Sequence, residues 1–216
     1  MLPPIPPIFF SERGAGGEQK IKVAYIGRIS EDKGVDGLIP ALEEIGKNIA
    51  ELDVRIYGYH NANDESARRL HERALSSEYI SYAPEPRAAS EQSDAYMAKL
   101  LHETDILVFP YRELSGETVD VPLLLLEAIA SGCVVISTPV GDIPRIINDD
   151  RLILTEENDL MKIIKYLIND VNLVEKRQEL TENMKKMPVS QPEAGERLIE
   201  ILQENVGRSR NLQHAG

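Results

Sequence analysis

From Lys20 onward the chain alternates short apolar runs with stretches whose apolar residues recur at helical spacing. The run Ile21-Lys-Val-Ala-Tyr-Ile-Gly27 predicts a strand. Residues 35–49 predict a helix, with Leu38, Ile39, Leu42, Ile45 and Ile49 on one face, although Pro40 weakens its first turns. A strand over 53–58, a polar helix over 63–75, a short strand over 79–82 and a helix over 93–103 follow. The apolar run 105–110 predicts a further strand. Next comes a Leu/Ile/Ala helix with Pro122 in its first turn and Gly132 just beyond its last, then a strand over 133–137. A turn or short helix is expected at 144–147 and an apolar segment at 152–154. Three helical segments close the chain at 157–169, 171–187 and 193–203.

Strands alternating with helices at this spacing predict an α/β architecture. The form expected is a Rossmann-like doubly wound parallel sheet with helices on both faces and a C-terminal helical extension. Residues 1–19 form a proline- and glycine-rich linker, 20–170 the Rossmann-like domain, and 171–216 the terminal helices and tail. Within the linker, residues 1–10 are apolar and proline-rich and are expected to be extended and to lie against something. Residues 11–19 carry no packing signal.

Composition narrows the partners. The 216 residues are 42% hydrophobic and 28% charged, as in an ordinary globular chain, and the formal net charge of −12 argues against a nucleic-acid partner. A single cysteine, Cys133, cannot form an internal disulfide and reads as a small buried hydrophobe. No apolar run reaches the length of a spanning helix, and the start lacks the features of a signal peptide. The expectation is a cytoplasmic chain, peripheral to a membrane at most in a longer protein.

In doubly wound sheets ligands sit beyond the carboxyl ends of the strands, so the post-strand loops hold the candidate chemistry. After the first strand come Gly27-Arg28 and, at the mouth of the next helix, Lys33-Gly34. Glycines permit close backbone approach, and two cations beside a helix start make a candidate anion site; the plainer reading is a solvated turn. Neither a Walker loop nor a Gly-x-Gly-x-x-Gly fingerprint is present. After the second strand, Gly58 precedes Tyr59 and His60. His60, His71, His102 and His214 show no metal-ligand spacing, so no metal is expected. The third loop carries Glu113, Glu117 and Asp120, then the helix start at Val121-Pro122-Leu123. Glu127, four residues further, is a carboxylate inside an apolar helix, where burial of a charge demands a partner.

Taken together, Gly27-Arg28, Lys33-Gly34, Leu-Leu-Glu127-Ala-Ile-Ala-Ser-Gly132, Val134-Val-Ile-Ser-Thr138 and Val140-Gly141 resemble the C-terminal, donor-binding domain of the family 4 (group 1) retaining glycosyltransferases of GT-B fold. The resemblance covers roughly residues 20–170. It implies a nucleotide-diphosphate sugar as donor and no further cofactor or metal. It also implies catalytic roles for Arg28 and Lys33 in neutralising the diphosphate leaving group, and a ribose-binding role for Glu127. Amides over Asp120, Val121, Pro122 and Leu123 would face the sugar and phosphates. Gly27, Gly34 and Gly58 complete the expected substrate-binding set. The family commonly has a glutamate eight residues before the position of Glu127, where this chain has Val119. Asp120 or Glu117 would substitute, Asp120 being favoured. Arg145 and Ala83 are further departures from the pattern.

The resemblance further implies an acceptor-binding N-terminal domain, supplied by a longer protein or a separate subunit, so that this chain alone is expected to be inactive. Apolar residues of the linker (Ile5, Phe9, Phe10) and of the last helix (Leu198, Ile199, Leu202) are candidates for self-association. A non-catalytic module that binds a nucleotide sugar or another anion is the main alternative, and an unrelated flavodoxin-like or epimerase-like domain is a third.

Overall fold

The computed structural model of this protein describes residues 5–10, 20–85, 93–112, 122–141, 143–147, 152 and 159–185. Five strands form one sheet: β1 (Ile21–Arg28), β2 (Leu52–Tyr59), β3 (Ser81–Pro84), β4 (Ile106–Phe109) and β5 (Val134–Ser137). Their order is β3-β2-β1-β4-β5 and every pairing is parallel. β1 and β2 pair along their full length, with Gly27 opposite Gly58 and Arg28 opposite Tyr59 at the carboxyl end. β4 and β5 are buried at every position, as expected for apolar runs covered on both faces.

The helices are α1 (Val35–Asn48), α2 (Glu65–Ser76), α3 (Ser93–Glu103), α4 (Leu123–Ala130), α5 (Ile143–Ile147), α6 (Asp159–Asn169) and α7 (Leu173–Lys185). Six of them fall into two packed groups, α1 with α2 and α6, and α3 with α4 and α7. α1 passes straight through Pro40, contrary to the weakness expected there. Proline in a helix interior costs about 3 kcal/mol. Val35, Leu38, Ile39, Leu42 and Ile45 are all buried on the sheet side, and at about 1.5–3 kcal/mol each that burial outweighs the loss.

Local chemistry sets the helix ends. The Asp64 carboxylate accepts from the amides of Ser66 and Ala67 and opens α2, a cap contributing about 1 kcal/mol. Pro122 stands just before α4, extended at φ −61°, ψ 132°, rather than within its first turn. At the other end Gly132 is left-handed (φ 79°), Cys133 N–H donates to Ala128 and Gly132 N–H to Ile129. This paired closure lets the chain turn at once into β5. Cys133 is fully buried, its Sγ 3.2 Å from the Leu101 carbonyl.

Residues Pro7–Phe10 form a single 3-10 turn rather than an extended segment. That turn packs on α3 and α4, with Phe9 fully buried and Ile5 nearly so. The linker residues Ile5 and Phe9 are therefore not free for contact between copies. Leu198, Ile199 and Leu202, the helix expected over 193–203 and residues 153–154 lie outside the described residues. α7 is held against the amino end of the sheet by an ion pair between Arg177 and Asp105, both largely buried. Asp105 also accepts from the Lys22 amide at 2.6 Å, tying β1, β4 and α7 together.

No helix among the described residues is long and apolar enough to cross a membrane.

Candidate functional site

The strand order reverses between β1 and β4, and their carboxyl ends open the crevice where ligands bind in such sheets. Two loops face each other there. From β1, the chain runs through a 3-10 turn (Glu31–Lys33) to a left-handed Gly34 (φ 71°) and then into α1. From β4, it runs through Pro110, Tyr111 and Arg112.

Three consecutive residues of the β4 loop meet the β1 loop. A Cβ on Gly34 would stand 1.8 Å from the Pro110 carbonyl oxygen, so only glycine fits. The Lys33 ammonium lies 4.9 Å from the centre of the Tyr111 ring, within cation–π range. Arg112 ion-pairs with Asp36 at 2.7 Å and donates to the Glu31 carbonyl at 3.4 Å. β5 supports the same loop: the Thr138 hydroxyl donates to the Tyr111 carbonyl at 2.6 Å, and the Ser137 hydroxyl to that of Phe109 at 3.0 Å. Burial pushes the Tyr111 phenol well above its ordinary value, so it stays protonated beneath the lysine.

Arg28 closes β1 and ion-pairs with Asp32 in the following turn. Tyr25 lies under this corner, its hydroxyl donating to the Arg28 carbonyl at 2.6 Å. Burial first, and then the neighbouring Tyr111, Tyr59 and Asp32, raise its phenol well above the usual range. Gly27 has φ 147°, and a Cβ there would come within 3.3 Å of that hydroxyl. The Ser66 hydroxyl of α2 hydrogen-bonds the Glu31 carboxylate, bracing the turn from the other side.

The expected site residues thus divide. The structure brings Gly27, Arg28, Lys33 and Gly34 together at the crevice. Gly58 is beside them in register, but the space a side chain would fill is taken by Ile29, 2.7 Å from a built Cβ, and its carbonyl accepts from the Tyr82 hydroxyl at 2.8 Å. Pro122 and Leu123 stand at the start of α4, with Leu123 40% exposed. Glu127, one turn further, is only 1% exposed and lies within the helix packing. Glu117, Asp120 and Val121 lie outside the described residues.

Sequence reading missed Asp32, Tyr111 and Arg112. Arg112 follows the strand expected over 105–110 just as Arg28 follows that expected over 21–27, so the same post-strand rule selects it; its partners, far off in sequence, give no local sign.

A second cluster went unnoticed. The rings of His60 and His71 stack at 4.1 Å and 25°, and Tyr82 meets His71 edge-on at 4.9 Å. Among the described residues no group of three or more His, Cys, Asp or Glu side chains gathers as metal ligands. Burial, and then the facing His60, depress the His71 pKa, with Glu72 opposing. A depressed folded-state pKa means the unfolded chain binds the proton more readily. Stability is therefore lost as pH falls from about 6.5 through the lower folded value. His71→Phe is expected to flatten the stability difference between pH 8 and pH 5 in urea unfolding; an unchanged difference would count against the stack as its source.

Comparison with known proteins bears on what this crevice belongs to. The sequence model of the family "Glycosyl transferases group 1" matches residues 20–170. Curated protein sequences give no match. Among solved structures, the chain is similar to the C-terminal domain of a glycosyl transferase group 1 family protein, LpcC, from Francisella tularensis. The two share 22% identity and a TM-score of 0.59, over 80% of this chain and 87% of that one. It is also similar to HepE from Anabaena, a structure in complex with UDP and glucose: 15% identity, TM-score 0.66, 86% of this chain and 48% of HepE. The pneumococcal O-GlcNAc transferase GtfA, in complex with UDP and GlcNAc, gives 19% identity and a TM-score of 0.64 over 90% of this chain and 37% of GtfA. The chain thus spans about half or less of those two proteins. With the family model covering most of its length and a GT-B-type Rossmann-like domain as its fold, this chain belongs to the group 1 glycosyl transferases.

Proposed function

We propose that the chain is the donor-binding half of a retaining glycosyltransferase, which takes a nucleotide-diphosphate sugar and passes its sugar to an acceptor held by an N-terminal domain or subunit. The observation that carries this reading is the meeting of the Arg28–Gly34 loop with the β4 loop at the strand-order reversal, in a chain of this family. That HepE and GtfA were solved with UDP and a sugar supports a nucleoside diphosphate hexose as the donor class.

In this reading Arg28 and Lys33 neutralise the diphosphate as the bond to the anomeric carbon breaks. The guanidinium offers a planar pair of donors and the ammonium a point charge. Preorganised cations stabilise charge that develops in the transition state, and in this reading the two side chains take that role without a metal. Tyr111 holds Lys33 in place by its ring face. Gly34 lets the β4 loop close on the β1 loop at Pro110, Gly27 leaves room for the Tyr25 hydroxyl that fixes the Arg28 carbonyl, and Gly58 lets Ile29 pack beneath. In the same reading Val121, Pro122 and Leu123 serve the sugar and phosphates, with the Leu123 N–H as a donor at the start of α4 since Pro122 has none; Asp120 or Glu117 supplies the acid absent at Val119, and Glu127 accepts from the ribose hydroxyls.

Calorimetry with UDP-, GDP- and ADP-sugars tests the donor class. Arg28→Ala combined with Lys33→Ala is expected to weaken nucleoside diphosphate binding by about 100-fold or more, since hydrogen bonds to charged groups contribute about 1.5–3 kcal/mol each. Undiminished affinity would remove both residues from the site. Val119 and Arg145 favour a second reading, donor binding without transfer. Transfer regained on adding an acceptor domain decides for the enzyme, and binding without transfer or hydrolysis decides for the module.

A further inference from the structure

The guanidinium at the centre of the anion site is already engaged by a carboxylate of the same loop. The 3-10 turn over Glu31–Lys33 folds Asp32 back over Arg28, and the two ion-pair through Arg28 Nη2 and Asp32 Oδ2. Asp32 lies beside Lys33. Burial pushes its carboxyl upward, but the neighbouring Ser30 hydroxyl and the charges of Arg28 and Lys33 outweigh this and hold it below the ordinary carboxylate range. It is a full negative charge at neutral pH, set between the two cations proposed to receive phosphate. The pair is partly open, with side chains 43% and 29% exposed, and exposed ion pairs exchange partners readily.

We propose that Asp32 is a built-in competitor at this site, a carboxylate that occupies Arg28 and yields to a diphosphate but not to a singly charged anion. The inference rests on the reading of Arg28 and Lys33 as the diphosphate site. A monoanion that takes Arg28 only replaces one carboxylate contact by another of equal charge, and it leaves Asp32 behind as a repelling neighbour. A diphosphate carries more charge and is long enough to engage Lys33 as well, so it gains where a monoanion does not. Asp32 thereby lowers affinity for all anions and raises discrimination between them.

The test is calorimetry of the whole chain at about pH 6, where orthophosphate is mainly singly charged and Asp32 stays ionised, with inorganic pyrophosphate and with orthophosphate, for the unaltered protein, Asp32→Asn, Arg28→Ala and the double variant. Asp32→Asn is expected to tighten orthophosphate binding by about tenfold and pyrophosphate by about threefold, narrowing the ratio between them. Neither gain should survive in the Arg28→Ala background. Asp32→Ser, checked by circular dichroism, serves if the asparagine variant misfolds. Equal binding by the unaltered protein and Asp32→Asn overturns the competitor role alone, as does a gain of the same size with Arg28 removed. If neither protein binds pyrophosphate, the diphosphate reading falls and the competitor role with it.

Discussion

Gly34→Ala is expected to lower the unfolding free energy by at least about 3 kcal/mol, the combined effect of a left-handed backbone and overpacking against main chain. The new Cβ would sit 1.8 Å from the Pro110 carbonyl, which cannot rotate away as a side-chain tip does. Relief requires the β1 and β4 loops to separate, so Lys33 would leave Tyr111 and Arg112 would leave Asp36. Against a total stability of about 5–15 kcal/mol, that is a large fraction. Gly37→Ala is the control. It lies inside α1 with nothing within 4 Å of a built Cβ, and alanine there should stabilise by about 0.5–1 kcal/mol. Urea unfolding followed by far-UV circular dichroism reads both. A cost below about 1 kcal/mol at Gly34 would mean that the two loops do not press together as described.

Asp105→Ala is expected to cost about 3–5 kcal/mol, because it leaves the Arg177 charge largely buried without its carboxylate. It also strips the Lys22 amide of its acceptor. Arg177→Met should cost less, since Asp105 keeps its bond to the amide and the methionine stem still covers α4. The double replacement should recover part of the loss, which a double-mutant cycle in urea measures. Additive losses would show that the two side chains stabilise the fold independently. The pair lies at the amino end of the sheet, opposite the crevice, so neither change should alter the ratio of pyrophosphate to orthophosphate affinity.

The sheet was legible because its strands are compact apolar runs punctuated by Gly, Pro and Asp. The order β3-β2-β1-β4-β5 was not written in any run, although double winding follows from the spacing of strands and helices. Gly132 was readable as a left-handed stop because a glycine after an apolar helix has few other uses. α1 was underrated at Pro40, where the gain from five buried side chains outweighs a single lost hydrogen bond. At the site, Arg28, Lys33 and Gly34 were visible since post-strand position and residue type coincide. Tyr111 was not, and Arg112, which the same rule selects, showed no sign of its partners, because their meaning arises only where two loops distant in sequence converge. The same holds for the His60–His71 stack, whose members come from a loop and a helix. Asp32 was hidden differently: as one acid in an acidic loop, it gains significance only when the 3-10 turn folds it onto Arg28.

The small turn at Pro7–Phe10 limits where this protein can be cut. Phe9 is wholly enclosed by α3 and α4, yet the recognisable family pattern starts only at residue 20. The cooperative unit therefore extends upstream of the unit that sequence comparison recognises. A fragment trimmed to the family boundary would carry an unfilled aromatic socket beneath the very helix that presents Glu127.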